Sequence, residues 1–138
     1  MSYLLDTNIL SETVKSTPNL NVLSWIERVP GDDLFISVLT LGEIRRGIEK
    51  LDDGKKKRSL LVWLETDLKS WFSDRVLSVD YAVADRWGFV SAHLNNETKS
   101  SAIDTLIAAT ALTHNLKMVT RNTKDFDIPG LEIINPFE

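Results

Sequence analysis

The sequence predicts an α/β fold in three layers, with a mainly parallel central sheet of four to five strands flanked by helices. Three observations predict it. Short apolar runs alternate along the whole chain with segments of helical period. The apolar runs are too short for helices and are bounded by turn residues or acids, as buried strands are. Residues 101–114 are apolar nearly all round, which suits a helix buried against a sheet. At 138 residues, 43% hydrophobic and 26% charged, the chain fits one domain spanning 1–138 with an ordinary globular core.

Residues 2–5 read as the first strand, which stops at Asp6. Residues 7–14 form a short helix, and Pro18 marks a connection. Residues 20–29 are helical, with Leu20, Leu23 and Ile26 at near-helical spacing. Pro30-Gly31-Asp32-Asp33 is a turn. Residues 34–38 give a second strand. Residues 40–51 give a helix striped by Leu41, Ile44, Ile48 and Leu51, ended by Asp52-Asp53-Gly54. Residues 55–72 read as one long amphipathic helix carrying Leu60, Leu61, Leu64, Leu68 and Trp71. Its start, Lys55-Lys56-Lys57-Arg58, is the only charge run. A solvated helix start explains that run, and phosphate contact is the alternative. Residues 76–79 form a third strand, and Asp80 caps a helix reaching about Leu94. Residues 95–100 are a polar loop, 117–120 a fourth strand, 121–127 a loop and 131–134 a last short strand. Trp25, Trp63, Trp71 and Trp87 fall on helices, mostly as core.

Composition excludes several functions. There are no cysteines, hence no disulfide and no thiolate metal site. No leader-like N-terminus and no apolar run of about 20 residues appears, so the reading is a cytoplasmic protein that does not enter a membrane. A net charge of −4 argues against coating nucleic acid through bulk positive charge. It leaves room for an enzyme that meets phosphate through a cation. His93 and His114 lack a nucleophile-elbow sequence, so Ser-His-Asp chemistry is not indicated.

Four acids carry the functional signal. In an open parallel sheet, ligands collect beyond the carboxyl ends of the strands. Asp6 follows the first strand. Glu43 is placed in the first turn of the helix after the second. Asp104 opens the apolar helix before the fourth strand, and Asp125 sits in the loop after it. Each has a plain alternative. Asp6 can cap a helix, Thr40-Leu41-Gly42-Glu43 and Ser101-Ala102-Ile103-Asp104 resemble capping boxes, and Asp125 can be a loop acid. Together they make a stronger case, because a carboxylate on a buried helix face costs several kcal/mol unless partnered. Two carboxylates ~5 Å apart repel by roughly 3 kcal/mol at an effective dielectric near 20. Four of them converging would raise some pKa values or recruit a divalent ion. Oxygen-only ligands favour Mg²⁺ or Mn²⁺.

The stretches "LLDTNILSE", "ISVLTLGEIRRGI", "SSAIDTLIAATAL" and "MVTRNTKDF" resemble, in order and spacing, the four signature segments of PIN-domain ribonucleases, above all VapC-type toxins of toxin–antitoxin pairs. The resemblance covers residues 2 to about 136. It implies that Asp6, Glu43, Asp104 and Asp125 bind one or two Mg²⁺ or Mn²⁺ ions and hydrolyse single-stranded RNA linkages. Relatives sometimes carry the fourth acid at the position of Asn122. Thr7, Asn8 and Thr120 match small polar residues that orient such a site, with Asn122 beside them. Arg45, Arg46 and Arg121 are candidate RNA or antitoxin contacts. The resemblance also implies a homodimer, higher-order toxin–antitoxin complexes, and inhibition by a cognate antitoxin whose arginine competes with the ion. The rival readings are a different acid-and-metal phosphoryl hydrolase and a PIN-like binding module without catalysis.

Overall fold

Leu4 and Leu5 are neighbours in sequence, so their side chains leave opposite faces of a strand, yet both are fully buried. The same holds for Met118 and Val119. Strands of this kind must be covered on both sides, which is the condition for a parallel sheet. In a computed structural model, residues 1–94 and 100–138 are described. They form β1 (Tyr3–Leu5), β2 (Leu34–Ser37), β3 (Val76–Leu77), β4 (Lys117–Val119) and β5 (Ile133–Ile134). All pairings are parallel, in the order β3-β2-β1-β4-β5. The loop expected at 95–100 lies outside the described residues except for Ser100.

The helices are α1 (Thr7–Glu12), α2 (Leu20–Arg28), α3 (Val38–Glu49), α4 (Lys55–Val62), α5 (Lys69–Phe72), α6 (Tyr81–His93) and α7 (Ala102–Thr113). Two cores result, one on each face of the sheet. Leu5, Ile36 and Val119 face Ile9, Leu10, Val22, Ile44, Ile48, Leu64, Leu68 and Phe72. Leu4 and Met118 face Val90, Ile107, Ala108, Ala111, Phe126 and Ile128. The helix α7 is buried over most of its length, as its composition requires, while its first turn, with Ile103, reaches solvent. It ends at Asn115, which adopts φ 55°, a left-handed conformation that Asn tolerates. Among the described residues no helix is long and apolar enough to cross a membrane.

Two sequence expectations are corrected. The helix expected over 55–72 is helical throughout but widens to a π-helix over Trp63–Leu68. Leu64, Leu68 and Phe72 are its buried residues, spaced four apart. In an α-helix each such step overshoots a turn by about 40°, and wider turns keep all three aimed at the sheet. The second correction concerns α3. It starts at Val38 with Ser37 as N-cap, whose Oγ accepts from the Leu39 N–H at 3.0 Å. Thr40 therefore lies inside the helix, the Thr40–Glu43 capping box does not form, and Glu43 falls in the second turn rather than the first.

Thr40 is then a buried hydroxyl without a hydrogen-bond partner among the described residues. Thr105, Thr110 and Thr113 all donate to the carbonyl four residues back. For Thr40 that carbonyl belongs to Ile36, which lies in a strand. An unpartnered buried polar group costs about 1–3 kcal/mol, and an apolar isostere is neutral or better. Thr40→Val is therefore expected to melt at or above the wild-type temperature. A lower melting temperature by calorimetry would show that the hydroxyl is bonded in solution.

Candidate functional site

In the strand order, the chain runs outward from β1 to β3 on one side and from β4 to β5 on the other. The reversal falls between β1 and β4, and there the crevice at the strand ends is deepest. The register pairs Leu5 with Val119, so the next residues, Asp6 and Thr120, stand side by side. Ser37 is level with Asp6 on the other flank, because Leu4 pairs with Phe35.

Asp6 is 5% exposed and serves as the N-cap of α1. Its Oδ1 accepts from the Thr7 N–H at 2.8 Å. Its Oδ2 accepts from the Thr120 hydroxyl at 2.8 Å and from the Asn8 amide at 3.1 Å. Thr120 Oγ1 in turn accepts from the Asn8 amide at 3.3 Å and from the Asn122 N–H at 3.0 Å. Asn8 closes the ring by accepting the Arg121 N–H at 3.1 Å. One carboxylate is thus fixed by residues from two strand ends. Asn122 takes part through its backbone, and its side chain is exposed.

Burial pushes the Asp6 carboxyl up to about 6, with hydrogen bonds from Thr120 and Thr7 opposing and the charges of Glu43 and Asp104 adding to the rise. Glu43 is half-buried, and its Oε1 accepts the Thr7 hydroxyl at 2.7 Å. Thr7 therefore ties the caps of β1 and α3 together. Burial raises the Asp104 carboxyl as well, against hydrogen bonds from Ser101 and with help from the charge of Asp125. The Ser101 hydroxyl caps α7 by accepting the Asp104 N–H at 3.1 Å. Asp125 lies on a 3₁₀ turn, Thr123–Phe126, anchored by the fully buried Phe126. Its carbonyl accepts the Ser100 hydroxyl.

Charge coupling thus runs from Glu43 to Asp6, to Asp104, to Asp125. Among the described residues, no three His, Cys, Asp or Glu side chains are grouped tightly enough to form a ready-made metal cage. The donors are carboxylate oxygens at different depths, with only Asp6 fully enclosed. Such a set suits a hard cation that keeps several of its own waters and takes one or two carboxylates directly, as Mg²⁺ does.

Of the three arginines, Arg45 is engaged with Glu65 at 2.8 Å and Glu49 at 4.0 Å. Arg46 is exposed on α3. Arg121 stacks over the ring of Phe137, 4.8 Å from its centroid. In the basic run, Lys57 donates to the carbonyls of Glu49 and Leu51 at the end of α3, and Lys56 lines a groove. That groove, of roughly 720 Å³, runs between α1, α3 and α4 from Thr7 and Glu43 past Ile44, Ile48 and Trp63.

The sequence reading passed over Glu12 and Phe137. Glu12 is buried at the end of α1 and clamps the following loop through Lys15 Nζ at 2.9 Å and the Asn19 N–H at 2.8 Å. Its hydrogen bond from Lys15, with that from Asn19, holds its carboxyl below the usual range. The signal was its place three residues after Ile9, on the buried face of that helix.

The PIN domain family model matches residues 3–129. The chain is 35% identical over 135 residues to "Toxin FitB" of Neisseria gonorrhoeae, which covers 97% of both chains. It is 34% identical over 136 residues to "VapC ribonuclease Y4jK" of Sinorhizobium fredii, covering 98% of this chain and 97% of that one. The crystal structure of FitAcB from Neisseria gonorrhoeae superposes with a TM-score of 0.92 at 34% identity over 99% of each chain.

Proposed function

Because the chain belongs to the PIN-domain family, we propose that it is the ribonuclease toxin of a toxin–antitoxin pair, hydrolysing RNA phosphodiester bonds and restrained by a cognate protein antitoxin. The observation that carries the reading is Asp6: a buried carboxylate at the sheet's switch point, raised by burial and by two neighbouring carboxylates. Ribonuclease chemistry is named for one relative and toxin for another.

In this reading Asp6, Glu43, Asp104 and Asp125 hold one or two Mg²⁺ or Mn²⁺ ions. A divalent cation would supply an acidified water and a counter-charge for phosphoryl oxygens near neutral pH. The protein's own groups do the rest. Thr120, Asn8 and the Thr7 N–H fix the orientation of Asp6, and the Thr7 hydroxyl fixes Glu43. Thr7→Val leaves Glu43 free to rotate. The expected result is a loss of roughly 10–100-fold in cation affinity or cleavage rate, read by calorimetry and by RNA cleavage. Unchanged values would remove Thr7 from the site.

The groove beside Glu43 is where a segment of the antitoxin would lie, its apolar side chains against Ile44, Ile48 and Trp63 and a terminal cation against the acids. A homodimer, in larger assemblies with the antitoxin, completes the proposal. The test is cleavage of an RNA panel by purified protein with Mg²⁺, Mn²⁺ or chelator, alongside Asp6→Asn and Asp104→Asn. Activity that survives both chelation and substitution would reject the acid-and-cation mechanism. No cleavage of any RNA would favour a binding module.

A further inference from the structure

The ring of hydrogen bonds around Asp6 ends at Arg121, and what its side chain does is not explained by that ring. Arg121 is exposed, and among the described residues no carboxylate lies within ion-pair distance of it. Its two ends are nevertheless fixed. The backbone N–H is held by Asn8, and the guanidinium lies 4.8 Å from the centre of the Phe137 ring. Phe137 is not a loose tail residue. It packs on the core that contains Leu5 and Val119, its N–H donates to Asn135 Oδ1 at 3.0 Å, and its carbonyl accepts the Asn21 amide at 3.2 Å.

Resting on the ribonuclease reading, we propose that Arg121 is a phosphate-binding residue for single-stranded RNA at the rim of the acidic site, and that Phe137 is the positioning residue that holds its guanidinium. The physical reason is the shape of the group. An aromatic ring covers one face of a guanidinium and leaves its in-plane N–H donors free. Those donors form the fork that matches two phosphate oxygens. A flexible side chain held this way loses less entropy on binding. A site of net negative charge also needs a fixed cation nearby to bring in a polyanion. Glu12 is close enough for its charge and that of Arg121 to interact, but Lys15 already occupies its carboxylate. The guanidinium is thereby left available.

The test is binding of a fluorescein-labelled single-stranded RNA 12-mer to the full chain in chelator, by anisotropy, across a series of KCl concentrations. Removing one phosphate contact lowers the slope of log affinity against log salt by about 0.7 for a single strand. Arg121→Gln is expected to weaken binding roughly five- to tenfold at low salt and to lower the slope by that amount. Arg121→Lys keeps the wild-type slope with intermediate affinity. Phe137→Leu keeps the apolar packing and the charge, so it weakens binding roughly two- to threefold without changing the slope. A clamp that only ties down the C-terminal segment would instead lower the melting temperature of Arg121→Gln and leave the salt slope untouched, and that result overturns the proposal. Should Arg121→Gln fail to fold, Arg121→Lys with wild-type affinity would overturn it. Wild-type protein that neither binds nor cleaves the RNA overturns the ribonuclease reading itself, a separate outcome.

Discussion

Asp6→Asn is expected to cut RNA cleavage by roughly 10²–10³-fold, the loss usual for a group that fixes charge at a reacting centre, without lowering the melting temperature of the chelated protein at pH 7.5. The second half of this prediction sets it apart from ordinary damage. Asp6 has a folded pKa of about 6 against a model value of 3.8. Between those values the folded protein holds a proton that the unfolded chain has released. Stability contributed by this group is therefore full at low pH and falls as pH rises from about 4 to about 6. Above that window the ionised carboxylate destabilises the cation-free fold by about 3 kcal/mol. Asn removes the charge but keeps only one acceptor for the donors Thr7, Asn8 and Thr120, so it recovers only part of this. Thermal melts in chelator, at pH 5 and pH 7.5, give the answer. If Asp6→Asn melts well below wild type at pH 7.5, Asp6 is a structural cap and not a charge held against its preference.

The acids were legible in the sequence because each interrupts an apolar pattern at a strand or helix end. That interruption is a local signal. "LLDTN" breaks a buried strand, and "SSAID" places a carboxylate at the head of an otherwise apolar helix. The alternation of apolar runs and helices likewise gave a parallel sheet. Other features depend on contacts between distant segments and have no local signal. The strand order follows from which face each helix covers. The helix start at Ser37 rather than Thr40 follows from where the pairing of β2 with β1 and β3 ends, since both residues are acceptable caps. Phe137 beneath Arg121 joins residues from the two ends of the β4–β5 crossover. The capping explanations and the functional ones also proved compatible: Asp6 caps α1 with one oxygen and meets Thr120 and Asn8 with the other.

Cation affinity should follow the ionisation of Asp6, because a proton and a divalent ion compete for the same carboxylate. With a pKa of about 6, affinity for Mn²⁺, measured by calorimetry without any RNA, is expected to rise about tenfold per pH unit below that value and to level off above it. The neighbours set the direction of any displacement. The Thr120 hydroxyl stabilises the ionised form, so Thr120→Val should move the inflection to higher pH. The Glu43 charge opposes ionisation, so Glu43→Gln should move it to lower pH while weakening the plateau by one ligand. Opposite shifts from residues on opposite sides of Asp6 are hard to obtain from general loss of structure, which would displace both the same way. An affinity flat from pH 5 to pH 8 would mean that the ion does not displace a proton from this carboxyl. The burial of Asp6 would then have to be explained by the helix it caps.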